Sequence, residues 1–313
     1  MTNYPLGREA TFAGDDVVIE PTARDGGEVH TSGSVLRLLW HTFRENKLAL
    51  TGVISVVVIA LFCFVGPLFY VTDQIHSNLL NVNLAPSRAH LLGTDDNGFD
   101  VLGRLMVGGQ SSIEVGLAVA CIATSLGVSW GSISGFFGGF VDAVMMRIVD
   151  VMLAIPVVFL FVFLASIFKP TLLMLIIVLG LLSWLSPARL VRGETLSLRT
   201  REYVQAAKTM GGGSTRAIFR HIIPNAVGTI IVNATFQVAD AILVLATLSF
   251  LGFGLAPPAA TWGGMLSNGT NYIFDGYWWQ IYPAGLMIVL TVLSFNFIGD
   301  GLRDSFEVRL QRR

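Results

Sequence analysis

Six long apolar stretches separated by polar segments dominate the pattern of this chain. They cover about 48–70, 113–136, 146–168, 171–190, 226–250 and 281–301. Each is close to the roughly 20 residues that a helix needs to cross the hydrocarbon of a bilayer. Ahead of the first, Val35, Leu36, Leu39, Trp40 and Phe43 recur at helical spacing. That spacing predicts an amphipathic lead-in over 35–47 lying along a membrane surface. Residues 1–34 are rich in Gly, Thr and acids and carry few large apolar residues, so a disordered tail is expected there. The segment 71–112 is too long for a turn and is expected to form a small cap outside the bilayer. A short tail, 302–313, follows the last span. The expected fold class is an all-α integral membrane protein with six transmembrane helices.

Composition agrees with this pattern. Hydrophobic residues make up 53% and charged residues 13%, and mean hydropathy is +0.67. A soluble domain carries about a quarter charged residues. The net charge of −1 says less than its distribution. With the N-terminus inside, all of the 20 Lys and Arg except Arg88, Arg104 and Lys169 fall on the cytoplasmic side. That bias is the usual signal of orientation. It places both termini and the loop between the fourth and fifth spans in the cytoplasm of a multi-pass protein of the cell (inner) membrane. No signal peptide is evident in the polar first 34 residues. Cys63 and Cys121 lie inside apolar stretches and read as small core residues.

Several features inside the spans stand out. Gly127, Gly131, Gly135 and Gly139 are four apart, a ladder that lets a second helix approach closely in lipid. Pro156 is expected to bend the third span. Asp142, Arg147 and Asp150 suggest local ion pairing at its start. Gln237 and Asp240 lie well within the fifth span, where a charge is costly and usually faces the interior or a water-filled path. They are the pore-lining candidates. Tyr272, Tyr277, Trp278, Trp279 and Tyr282 read as an aromatic belt at the outer interface.

The loop 195–223 is the most distinctive polar segment. A helix can start at Glu202, whose charge suits a helix N-terminus. Glu202 and Ala206 share one face of it, and Ala206 with Ala207 leaves a low surface for another body to approach. Gly211, Gly212 and Gly213 end that helix, since glycine takes positive φ at little cost. Ser214 is positioned to cap a second short helix, and Pro224 suits the first turn of the next long one.

Catalytic chemistry is missing. Lys208-Thr209 is the nearest approach to a phosphate-binding loop, but Ala207 and Glu202 occupy its glycine positions. Gly131-Ser132-Ile133-Ser134-Gly135 has Ile133 where a serine nucleophile would stand. There is no zinc-protease motif, the five His are scattered, and no nucleic-acid module is present. No catalytic residue and no metal site are expected.

The loop Glu202…Ala206-Ala207…Gly211…Ile222-Ile223-Pro224 resembles the glutamate-alanine-alanine loop of ABC importer permeases. Leu92-Gly93-Thr94-Asp95, followed by Gly98, Asp100-Val101-Leu102 and Arg104, is similar to a signature of the second permease subunit of the dipeptide/oligopeptide/nickel group. So are Leu248-Ser249-Phe250-Leu251-Gly252-Phe253-Gly254 with Pro257, Pro258 and Trp262-Gly263, and the ending Phe295-Asn296 to Asp304. Phe99 stands where many relatives have Arg, and Glu307-Val308 where they often have Asp-Pro. The resemblance implies a type I ABC importer permease fold whose transmembrane domain covers 113–301. It implies coupling to an ATPase through Glu202, Ala206, Ala207, Gly211, Ile222 and Pro224. The implied partners are a homologous second permease, two ABC ATPase subunits that carry the ATP and Mg, an extracytoplasmic substrate-binding protein and membrane lipid. The cargo would be peptides or a related small solute, and Asp300 with Arg303 would pair or cap at the cytoplasmic surface. The alternative is an ion-coupled secondary transporter with Asp240 as its coupling carboxylate; a membrane scaffold is a third reading.

Overall fold

The computed structural model describes residues 40–168 and 170–311. The expectations for 1–34, for Val35, Leu36 and Leu39, and for the last two residues lie outside them. The described residues are helical throughout apart from loops, with one isolated bridge between Thr94 and Asp100.

A helical turn at 40–45 buries Phe43 and exposes Trp40. Asn46 then caps α1 (Lys47–Phe64), its side chain accepting from the Leu48 and Ala49 N–H groups. The cap segment follows, and α2 (Val101–Phe137) begins twelve residues before the expected position. The sequence there is small and polar (Gly103, Arg104, Gly108, Gly109, Ser112), which lowers its hydropathy. These residues are nonetheless buried, because protein rather than lipid surrounds them. A side chain at Gly109 would run into Cys63 and Trp262.

α3 (Gly139–Leu153) and α4 (Val157–Ile167) form the third span, bent by 74°. Pro156 sits at the break, as expected from its missing N–H and its clash with the preceding turn. The helix starts at Gly139, seven residues before the expected boundary. α5 (Leu172–Ser183) and α6 (Leu185–Leu198) make one long span. Pro187 fits in the first turn of α6, where an absent N–H costs nothing. After the loop comes α7 (Glu202–Thr209), then a helical path from Ser214 to Phe253 whose main part is α8 (Ile223–Leu248). The outer end folds back as α9 (Trp262–Thr270), and α10 (Tyr282–Gln311) runs well past the expected end of the sixth span. Among the described residues five helical stretches are long and apolar enough to cross a membrane, and the bent pair makes a sixth.

α2 is the central member. It packs against α6, α8, α5 and α1, while α10 brackets α1 and α8. Val115 and Val119 of α2 meet Phe161, Leu175, Leu179, Ala241, Leu245 and Leu248 in the largest buried cluster. The glycine ladder lies at the most extensive contact, with α6. A Cβ on Gly127 would meet Pro187, one on Gly131 the backbone of Ala188 and Arg192, and one on Gly135 Thr195 and the Arg192 carbonyl. Gly139 takes no part. Its φ is +52°, it opens α3, and nothing stands near it. Outward-facing residues of α1 and α10, such as Ile54, Val58, Leu61, Leu286 and Val289, are exposed, as lipid-facing surfaces are. Cys63 is buried in the core, but Cys121 is on the open surface of α2.

Gly131→Leu should separate α2 from α6, because the new side chain meets backbone at 2.8 Å. We expect a loss of about 1–3 kcal/mol. Gly193→Ala on α6, with nothing within 4 Å, should be neutral or stabilising by up to about 1 kcal/mol. Thermal unfolding of the two variants in detergent, side by side, measures the contrast.

Candidate coupling surface and pathway cavity

α7 begins at Glu202, which supplies the acid of its first turn, and ends with Lys208 in its last turn, both suited to the helix dipole. The glycine turn is a Schellman motif. Gly211 N–H donates to the Lys208 carbonyl (3.0 Å) and Gly212 N–H to the Ala207 carbonyl (2.9 Å), with Gly211 at φ +81°. Ser214 does not cap. It is the first residue of a four-residue turn whose N-cap is Gly213, and no side-chain bond forms there. That turn passes into a π-helical stretch, Ile218–Ile222, before Pro224. Proline offers no N–H to the carbonyl of Arg220. The chain widens there, Ile223 N–H reaching the Ile218 carbonyl, while the Asn225 side-chain amide donates to the His221 carbonyl at 2.6 Å.

One face of this segment is fastened and the other is free. Val204 is fully buried. The Lys208 ammonium sits 4.4 Å from the centre of the Phe136 ring, and Phe136 packs with Ala217, Ile218 and Ile222. Gln205 donates to the Arg199 carbonyl at 2.8 Å. Arg199 in turn donates to the Gly135 carbonyl at 2.9 Å, at the end of α2. On the free face Glu202, Tyr203, Ala206, Met210, Gly211 and Phe219 are exposed, and Ala207 is half-buried. Among the expected contact residues Pro224 is exposed, but Ile222 is wholly buried. Its place is beneath the surface, holding the segment to α2.

The neighbouring charges pair between helices rather than locally. Asp142 receives two bonds from Arg192 of α6, both 2.6 Å, and one from Ser134. Asp150 pairs with Arg189 at 2.5 Å. Arg147 joins neither pair. Asp300 and Arg303 do not pair; Arg303 reaches Glu307 at 3.0 Å, one turn on, while Asp304 accepts from Asn46 at 3.2 Å. The sequence pattern hid Arg192 and Arg199 as ordinary cytoplasmic basic residues. Their seven-residue spacing, at and just past the end of α6, against the glycine ladder was the available signal.

Gln237 and Asp240 lie together on α8, on the wall of a cavity of about 390 Å³ at the break between α3 and α4. Gln237 is buried and Asp240 exposed. Neither makes a hydrogen bond or ion pair among the described residues.

At the opposite end the acid-rich turn is structural. Asp100 caps α2 by accepting from Gly103 N–H (2.9 Å) and also binds Tyr70 (2.8 Å) and His90 (3.0 Å). Asp95 accepts from the Asn97 and Phe99 N–H groups. Burial pushes its carboxyl above the ordinary range, against the lowering effect of those bonds and of Arg104. Arg104 stacks on Phe99 and donates to the Pro258 carbonyl at 2.6 Å, so Phe99 stabilises the guanidinium. Trp279 departs from the aromatic belt. It is buried and donates to the Thr94 carbonyl at 3.2 Å, fixing the cap, while Trp278 and Tyr282 remain exposed. No cluster of three or more His, Cys, Asp or Glu gathers among the described residues.

Residues 127–312 match the family described as binding-protein-dependent transport system inner membrane component. The chain belongs to this family. Residues 34–86 match the N-terminal TM domain of oligopeptide transport permease C. The oligopeptide transport system permease protein OppC of Bacillus subtilis is 40% identical over 94% of this chain and 98% of its own length. The dipeptide transport system permease protein DppC of the same organism is 36% identical, covering 87% and 85%, and OppC of Escherichia coli 38%, covering 87% and 91%. The fold is that of a type I ABC permease, and the protein is a multi-pass inner-membrane component of a transport complex.

Val204→Asp should release α7 from the body of the protein, because it places a carboxylate in a fully enclosed site. Limited trypsin digestion in detergent should then cut faster at Lys208 and Arg216. Ala206→Ser, on the exposed face, should digest like the wild type.

Proposed function

We propose that this chain is one of two homologous permease halves of an ATP-driven importer for peptides or a related small solute. Its N- and C-termini and the 195–223 segment face the cytoplasm. Two ABC ATPase subunits bind there and carry the ATP and Mg, and an extracytoplasmic binding protein delivers cargo at the cap end. The chain itself holds no cofactor and does no catalysis. Gln237 and Asp240 belong to the translocation path.

The observation that carries this reading is the two-sided segment around α7. Its free face is low, built from Ala206, Ala207 and the glycine turn, with Glu202, Tyr203 and Met210 around them. Its other face is fixed to the inner end of α2 through Val204, Lys208 and the Phe136 cluster. A subunit that seats on the free face and moves therefore moves α2 and α6 with it. ATP-driven closure of the ATPase pair would be felt in the spans as alternating access. The peptide cargo is supported by the names of the relatives. Those names favour this mechanism over an ion-coupled carrier.

Co-purification from mild detergent should recover an ATPase and a second six-span permease, and the reconstituted complex should import peptide only with ATP. Recovery of the chain alone, transporting without ATP, contradicts the reading. Gly211→Asp supplies a finer test. A Cβ at Gly211 meets no atom of the described residues, although its φ of +81° strains any side chain there; Gly211→Ala controls for that strain, and the added carboxylate lies on the free face. We expect the variant to assemble in the membrane and hydrolyse ATP, with import lowered at least about tenfold, a loss of about 1.4 kcal/mol in coupling.

A further inference from the structure

The cavity at the α3–α4 break is lined by four polar side chains that no described residue satisfies. Gln237, only 8% exposed, Asp240 of α8, and Ser183 and Ser186 at the α5–α6 junction all line it, and none has a hydrogen-bond partner among the described residues. The remaining wall is apolar, including Leu153, Leu160 and Phe161. Asp150 and Arg189 pair with each other, and Asp240 forms no ion pair among the described residues.

A carboxylate without a partner inside a membrane domain is expensive to keep, and Gln237 adds an amide that faces the cavity and makes no hydrogen bond among the described residues. The cost is offset when a cationic hydrogen-bond donor enters. An ammonium group supplies three N–H donors, enough for the carboxylate, the amide oxygen and one hydroxyl at a time. A volume of about 390 Å³ is also roughly ten times the share of one water molecule in the liquid. The space suits a small organic cation with apolar substituents better than a bare ion. We propose that this cavity is a transit site for the cargo's amino group, with Asp240 as its counter-ion and Gln237, Ser183 and Ser186 as its hydrogen-bond acceptors. The occupant's identity rests on the importer reading above; the cation preference of the cavity does not.

The test uses the assembled complex carrying Cys121→Ser and Ser186→Cys. Labelling rates are compared for a cationic (trimethylammonium) and an anionic (sulfonate) methanethiosulfonate of similar size. The cationic reagent should react about tenfold faster relative to the anionic one than each does with free thiol, as a focused negative field requires. Adding Asp240→Asn should bring that ratio close to one. In proteoliposomes, Asp240→Asn alone should lower ATP-driven import of trialanine about tenfold, with the complex recovered intact and ATP hydrolysis still stimulated by the binding protein. Equal labelling of the two reagents, no labelling, a ratio that survives Asp240→Asn, unchanged import, or a complex that fails to assemble each overturns the proposal. If the labelling ratio is found in the Ser186→Cys complex but the wild-type complex imports no trialanine with ATP, the importer reading is overturned, and the amino group as occupant with it.

Discussion

The close approach of α2 and α6 is the constraint on which the rest of the molecule depends. Hydrophobicity does not hold helices together in lipid, so contact area and polar bonds must. Gly127, Gly131 and Gly135 remove the side chains that would keep the two backbones apart. The bidentate Asp142–Arg192 pair and the Arg199 bonds to the end of α2 then lock the register along the helix axis. Charge-assisted bonds of this geometry are directional as well as strong. α2 and α6 thus behave as one body, and α5, α8 and α1 are laid around it.

The α7 segment and the cap are attached to opposite ends of that body. At one end α2 starts beneath the cap, where Asp100 closes its first turn and Arg104 ties it to the Pro258 segment. At the other end α2 finishes against the α7 segment, through Phe136 and the Gly135 carbonyl. A displacement applied to α7 has a short, bonded route to the cap side through a single helix. The cavity containing Asp240 lies to the side, where the break at Pro156 leaves a gap that neighbouring side chains do not fill.

Most of this plan was legible in the sequence because its determinants are local. Apolar length marked the spans, proline marked the break in the third, and the glycines after Met210 marked the Schellman turn. What escaped were interactions between residues far apart in the chain. The start of α2 was missed because Gly103 to Ser112 look polar until the protein that encloses them is seen. Asp142 and Asp150 looked like partners for nearby Arg147, yet the helix geometry points them at Arg192 and Arg189. Trp279 looked like an interfacial anchor, yet its indole reaches Thr94 beneath the cap. Ser214 had the right residue type for a cap, but the Schellman turn delivers Gly213 to that position. Ile222 belongs to the loop's family resemblance, yet it lies buried with Phe136 beneath the exposed face of the segment.

The central claim is that α7 and the inner end of α2 move as one unit. Spin labels at Phe137→Cys and Met210→Cys in a Cys121→Ser background report on it, since both positions are exposed and the remaining Cys63 is buried. Pulsed dipolar distances are compared between the nucleotide-free and ATP-trapped complex. The account predicts that the distance changes by no more than about 2 Å, the scale of a small helix shift. A change of about 5 Å, a full helical turn, would show that the segment slides over α2 and would contradict the account.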